Sequence, residues 1–463
     1  MAEKRIKITF CGGTGGVTGS NFLLETLDEE KPTRVLFDCG LYQSGRMFDP
    51  KNREQFPYDP KTIDAVIVSH PHIDHTGRLP LLVKRGFRGR IISTPPTKEL
   101  GEVMVTDSMG VLEKESHTHK EEPLYNKEDI EEAVRLWETY RYHDQFSVGP
   151  FRFELKDAGH VLGSAMAELS YGSKKLVYTG DLGNTPSPLL PDTEYITDAN
   201  YILIESVYGD RNHEHRTERK TILEDVIEDT VQRGGTLVIP AFSLERTQEL
   251  LFEMKDMMER GRIPRVPVFL DSPLAIHLTA IYQKYAGYFK DEVWSRLHLG
   301  EDLFSFMGLV PTLATEESKH IVDVKPPKIV IAGSGMSNGG RVVHHEQHYL
   351  PDPKNTILIM GYQAPGTLGR AIQEKAKTVT IYGEKVPVNA QVVTISGYSA
   401  HKDSDALLDF IHHGADTFEK VFVVLGEPKS SLFLVQRIRD YLGLEASAPL
   451  VNDQVTLSMG EGK

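Results

Sequence analysis

Cysteine is almost missing from this chain: Cys11 and Cys39 are the only two among 463 residues. Two thiols build no disulfide framework, which excludes the small secreted scaffolds and fits a reducing cytoplasm. Long apolar runs are missing as well. No stretch reaches the roughly 20 apolar residues that a membrane span needs, and Lys4, Arg5 and Lys7 precede no signal-like segment. No membrane partner is expected, and the expected location is cytoplasmic. Positive charge is in deficit, with 52 Lys and Arg against 66 Asp and Glu and a net charge of −14. That balance argues against a general nucleic-acid binder. It leaves room for a locally basic cleft or for a metal site that brings its own positive charge. Internal repeats and low-complexity segments are absent. What remains is ordinary globular composition, 40% hydrophobic and 25% charged, in a chain long enough for two or more domains.

One stretch stands out, Ser69-His70-Pro71-His72-Ile73-Asp74-His75. It follows Ala65 to Val68, a short β-branched run that reads as a buried strand, and precedes Leu79 to Val83, which reads as a helix. Strand-to-helix loops are where α/β folds build their sites. In an extended loop, residues two apart point the same way, so His70 and His72 can share one ion. Asp74 and His75 lie further round the bend and can reach a second. Imidazole and carboxylate without thiolate suit zinc in an open, catalytic site.

Further donors end other strands. Asp38 closes a strand over Thr33 to Asp38 and is a plausible anchor behind a ligand. His160 sits at a turn after strand Phe151 to Leu155, and Asp181 follows strand Lys175 to Thr179. Both are flanked by glycines that permit close backbone approach, and they supply a third His for the first ion and a carboxylate able to bridge both. The glycine-rich Cys11 to Ser20 has neither a Gly-Lys-Ser/Thr ending nor Gly-x-Gly-x-x-Gly spacing, so it reads as a tight turn close to the site. Helices are expected over Lys98 to Glu115 and Lys127 to Tyr140, with solvated His117 and His119 between them. From about residue 206 helices alternate with short apolar strands, which implies a parallel sheet and a separate, inserted domain.

Asp38, the His70 to His75 cluster, His160, Asp181, Glu205 in Ile204 to Gly209, and Ser399-Ala400-His401 together resemble the metallo-β-lactamase superfamily and its β-CASP nuclease branch. Pro240-Ala241-Phe242, Gly335-Met336 and Gly361-Tyr362-Gln363 extend the resemblance through the insert. The chain looks most similar to the short prokaryotic relatives of the messenger RNA 3′-end cleavage endonuclease, with no appended RNA-binding domain expected. The resemblance implies an α/β fold: a metallo-β-lactamase αββα sandwich over 1–205 and 378–463, with an inserted parallel-sheet β-CASP domain over 206–377. It implies two zinc ions, one on His70, His72 and His160, the other on Asp74 and His75, with Asp181 bridging. It implies hydrolysis of single-stranded RNA by a metal-activated hydroxide, with His401 as general acid and Glu205 orienting it. Substrate phosphates would be met by Ser334, Gly335, Arg341, Arg370, Lys402 and Lys429.

One position departs from the pattern. Where RNA-cleaving members carry a His before Gly-Glu, this chain has Leu425, and DNA-cleaving members are similar in carrying an apolar residue. Leu425 cannot ligate, so the second ion is expected to be weak or partly occupied. DNA is the nearest alternative substrate, and a nucleic-acid-binding relative with a weakened second site is another. The expected partner is single-stranded RNA, with a homodimer left open.

Overall fold

The computed structural model describes residues 3–43, 49–213, 218–361, 363–364 and 366–462. Tyr362 of the third insert motif and the side chain of His119 lie outside the described residues. The chain forms two compact units, 1–212 with 401–463, and 213–400.

The first unit packs two seven-stranded sheets face to face. In one, Gln454–Glu461, Glu3–Phe10, Phe22–Thr26 and Arg34–Phe37 run antiparallel, and Ala65–Ile67, Arg90–Ser93 and Trp137–Thr139 continue parallel. In the other, Ala446–Ser447, Lys420–Val423, Tyr201–Ile204 and Lys174–Tyr178 are parallel, and Ala165–Tyr171, Phe151–Asp157 and Gln145–Val148 continue antiparallel.

Alternation along each strand builds the layers. Val35 and Phe37 face the inter-sheet core with Leu176, Tyr178 and Leu203. Leu36, between them, meets Val66, Leu82 and Trp137 under the helices of the first sheet. Val177, Ile202 and Val421 lie under Leu407, Phe410 and Leu434 on the other face. The expected αββα sandwich is thus present, and its parallel strands end at one edge.

Two features differ from expectation. The helix foreseen over Lys127 to Tyr140 stops at Arg135, and Trp137–Thr139 is an edge strand paired with Ile91, Ile92 and Ser93. Burial of the Trp137 ring, whose Nε1 donates to Ser93 Oγ at 2.8 Å, outweighs helical propensity there. The second unit also runs over 213–400 where 206–377 was expected. Gln391–Ile395 pairs in parallel, residue by residue, with Thr356–Met360, and Val379, Ile381 and Val386 enter the second unit's core. The first unit resumes only at His401.

That second unit is built on a parallel six-stranded sheet, in the order Leu309–Pro311, Val268–Asp271, Lys328–Ala332, Thr236–Pro240, Thr356–Met360 and Gln391–Ile395. Its last turn is clamped from within. Glu253 accepts from Tyr398 Oη at 2.5 Å and from Arg219 at 3.0 Å, and Arg219 also reaches the Gly397 carbonyl. No helix among the described residues is long and apolar enough to cross a membrane.

Close backbone approach at the sandwich edge depends on glycine. A Cβ on Gly40 would stand 1.5 Å from the Asp74 carbonyl oxygen, and one on Gly183 would stand 1.8 Å from that of Gly159. We expect Gly40→Ala to destabilise the first unit by about 1–3 kcal/mol, as overpacking does, because the backbones themselves must part. Denaturant unfolding followed by the fluorescence of Trp137 measures this, and an unchanged midpoint would contradict the packing.

Candidate metal centre

Each donor leaves the carboxyl end of a core strand: Asp38 after Arg34–Phe37, His70 to His75 after Ala65–Ile67, His160 after Phe151–Asp157, Asp181 after Lys174–Tyr178 and Glu205 after Tyr201–Ile204. Sites of open α/β sheets gather beyond such ends. The His160 loop is tied down by Thr94 and Thr97, whose hydroxyls both donate to the Gly163 carbonyl at 2.6 and 2.8 Å. Ser164 Oγ accepts from the His160 and Val161 amides.

Ligand-type atoms of His70, His72, His160 and Asp181 all lie within 4.8 Å of one another. His70 Nε2 faces His72 Nδ1 at 3.0 Å. Two nitrogens on one tetrahedral zinc, each about 2.0–2.1 Å from it, stand about 3.4 Å apart, so this pair is spaced to share an ion. Asp181 Oδ2 is 3.5 Å from His70 Nε2 and also 3.5 Å from His75 Nε2. It therefore stands between the first cluster and His75, where a bridging carboxylate would be. Asp74 Oδ2 lies 4.0 Å from His75 Nε2. Across Asp181, His401 Nδ1 meets Glu205 Oε1 at 3.2 Å, and Glu205 is held by the Leu182 and Val207 amides.

The residues expected to meet phosphate each have a polar partner within their own unit. Arg341 is committed within the second unit, to Asp271 Oδ1 at 2.7 Å and to the Thr312 and Leu313 carbonyls. Arg370 pairs with Glu374, Lys429 with Asp210, and buried Lys402 reaches Thr185 Oγ1. Ser334 closes its own turn with Asn338 and Gly339, and the Gly335 carbonyl accepts from Gln363.

Comparison with known families fits this geometry. The description "Metallo-beta-lactamase superfamily" matches residues 16–256, "Beta-Casp domain" matches 247–372, and "Zn-dependent metallo-hydrolase RNA specificity domain" matches 385–449. The chain belongs to the metallo-β-lactamase superfamily. It is 37% identical over 431 residues to Ribonuclease TTHA0252 of Thermus thermophilus, covering 93% of this chain and 95% of that one. It is 33% identical over 464 residues to transcription termination factor FttA of Methanocaldococcus jannaschii, covering 97% and 71%. An RNase J-like protein of the same organism is 32% identical over 427 residues, covering 91% and 94%. A crystal structure of a protein of unknown function from Enterococcus faecalis V583 shares the fold, with a TM-score of 0.57 at 13% identity over 98% of this chain and 100% of that one.

The donor set suits the metal that the superfamily's name implies. Burial first, then neighbouring His75, holds the His70 imidazole well below its ordinary pKa, and burial brings His72 to about 4. Both rings are therefore neutral at neutral pH, as ligands must be. Burial also raises Asp74 to about 6. For His75, burial works downwards, but the carboxylates of Asp181 and Asp38 outweigh it and hold the pKa well above the ordinary value. Its Nε2 is buried without a hydrogen-bond partner, an arrangement a cation in place of the proton resolves.

Three residues behind the cluster escaped the sequence reading: Ser20, Ser69 and Tyr178. Ser69 opens the histidine-rich stretch and Ser20 closes the glycine-rich one, but nothing local marks either hydroxyl, or that of Tyr178, as a partner of Asp38. Their bonds to Asp38 exist only because distant strands converge.

Because His75 is protonated in the metal-free protein, metal must displace that proton. Affinity should rise with pH while His75 stays charged, by up to about tenfold per unit. Zinc titrations at pH 6, 7 and 8 in two buffers of different ionisation enthalpy test this. Equal affinity at all three values, with no proton release, would contradict the ring's placement.

Proposed function

We propose that this metal-dependent hydrolase of the metallo-β-lactamase superfamily cleaves phosphodiester bonds of single-stranded RNA. The observation that carries the reading is the placement of two groups on either side of Asp181: the four-donor cluster His70, His72, His160 and Asp181, and the Glu205–His401 pair. The names of the relatives and of the 385–449 match point to RNA. Buried, unpaired Cys11 and Cys39 fit the cytoplasm.

In this reading His70, His72 and His160 would hold one zinc ion, Asp74 and His75 would hold a second, and Asp181 would serve both. Bound there, zinc supplies a water of lowered pKa and positive charge against the phosphate. The remaining work is done by side chains. Glu205 accepts from His401 Nδ1, which turns the opposite ring nitrogen, Nε2, towards the reacting bond. Burial works to lower the His401 pKa, but Glu205, Asp181 and Asp74 outweigh it and raise the pKa to about 9. The imidazolium is therefore loaded with the proton that a leaving oxygen needs. Of the cations expected to steer substrate, Lys429 is the most open, its side chain 85% exposed.

Leu425 provides no ligand for a second ion. It is fully buried in the inter-sheet core, with φ of +51° and its amide on the Gly13 carbonyl at 2.7 Å. It offers no donor, so a second zinc would be held by fewer of this chain's groups than the first. This residue favours the second reading, DNA as substrate.

His401→Ala should lower cleavage about 10²–10⁴-fold while zinc content stays unchanged; metal lost together with activity would make His401 a ligand. Matched end-labelled single strands, with and without zinc, should show RNA cut in preference to DNA, and affinity falling with salt. Equal or faster cutting of DNA would establish the second reading. Zinc per chain should fall between one and two after mild chelation and rise towards two in Leu425→His. Two chelator-resistant ions in the unmodified protein would contradict the ligand list.

A further inference from the structure

We propose that Tyr178 is a positioning residue for the metal centre. Its buried hydroxyl fixes the Asp38 carboxylate, and through Asp38 the rings of His75 and, by way of Ser69, His70. The inference rests on the reading of His70 and His75 as ligands.

The hydrogen positions follow from counting donors. A carboxylate only accepts. Asp38 Oδ2 lies 2.6 Å from Tyr178 Oη, 2.7 Å from His75 Nδ1 and 2.8 Å from Ser69 Oγ, and Oδ1 accepts from the Ser69 amide at 2.8 Å. Each of these partners must donate. His75 therefore carries its proton on Nδ1 and turns Nε2 towards Asp181. Ser69 spends its one proton on Asp38, so at 3.0 Å it accepts from His70 Nδ1–H, which turns His70 Nε2 the same way. Tyr178 spends its proton on Asp38, and Ser20 Oγ, 2.8 Å from Tyr178 Oη and 3.2 Å from Asp38 Oδ2, shares its one proton between the two. One carboxylate thus sets the tautomer and aim of a histidine in each half of the centre.

Tyr178 is built to hold that carboxylate still. The ring is fully buried, stacked on Phe37 with centroids 5.0 Å apart and tilted on Phe22 at 5.4 Å. It stands in a core where phenylalanines do the filling: Phe10, Phe22, Phe37, Phe151 and Phe153. A phenylalanine would pack as well, so the hydroxyl is explained by its bond to Asp38. Tyr178 also ends a strand of the second sheet, three residues before Asp181, while Asp38 ends a strand of the first. The hydroxyl ties together the two strand ends that aim the His70 to His75 cluster and Asp181.

The test is zinc titration of the metal-free full chain against a competing indicator, comparing Tyr178→Phe with Tyr171→Phe. Tyr171 is a buried tyrosine of the same sandwich whose hydroxyl bonds Asp28 at 2.7 Å, away from the donors. Tyr178→Phe should weaken the second zinc about 10–100-fold, the worth of an outer-shell partner, with a smaller effect on the first. Tyr171→Phe should leave both affinities unchanged while lowering the melting temperature of the metal-free protein comparably. Ser20→Ala, which keeps the ring and removes the donor to its oxygen, should act like Tyr178→Phe but more weakly. Wild-type zinc affinities in Tyr178→Phe, or an equal loss in Tyr171→Phe, would overturn the inference alone. A single zinc in the unmodified protein would overturn it together with the second-ion reading.

Discussion

The Asp38 carboxylate is fully removed from water and accepts hydrogen bonds from a backbone amide, two side-chain hydroxyls and an imidazole within 2.6–2.8 Å. A buried charge is tolerable only when so surrounded, and the surrounding groups are in turn held by it. Its residue has a φ of +56°, a conformation that Asp tolerates better than most residues. The turn after Phe37 and the carboxylate it carries are therefore one constraint. From it follow the aim of His75, the link to His70 and the junction with the second sheet.

Around that anchor the structure concentrates groups that repel one another without a cation. Four imidazoles and the Asp181 carboxylate lie within a few ångströms, nearly all out of water. Burial alone would discharge them. Instead their pKa values are driven apart: His70 and His72 down, His75 and His401 up, and Asp181 well below its ordinary value because His75, His70 and His401 outweigh its burial. Such divergence marks groups with different tasks. The neutral rings of His70 and His72 can ligate directly, His75 can do so on giving up a proton, and His401 can donate one.

The second unit handles buried charge differently. Asp271 is enclosed, but His345, Ser318, Thr312 and Arg341 all point at it, and they hold its carboxyl well below the ordinary range despite burial. With every lone pair taken, Asp271 works as a joint between its strand end, the helix Arg341–Tyr349 and the loop after Leu309–Pro311. Asp271 stands 70 residues before Arg341 in the chain, so nothing in the local sequence around Arg341 signals this joint.

The sequence by itself marked the candidate donors. His-x-His-x-Asp-His after an apolar run, and a His and an Asp each beside glycine at a strand end, mark chemistry through local spacing, which the fold does not alter. The period of apolar residues determined the parallel insert, and the sandwich followed from the family resemblance of the motifs. The sequence could not place the boundary of the second unit, because Gln391–Ile395 has no local signal for which sheet it will join; pairing with Thr356–Met360 decides that. Nor could it shorten the helix before Trp137 or reveal Ser20, Ser69 and Tyr178. Those roles are contacts across 18, 31 and 140 residues of chain to Asp38. A hydroxyl acquires its function from the carboxylate it faces, and only the packing of two sheets decides which one that is.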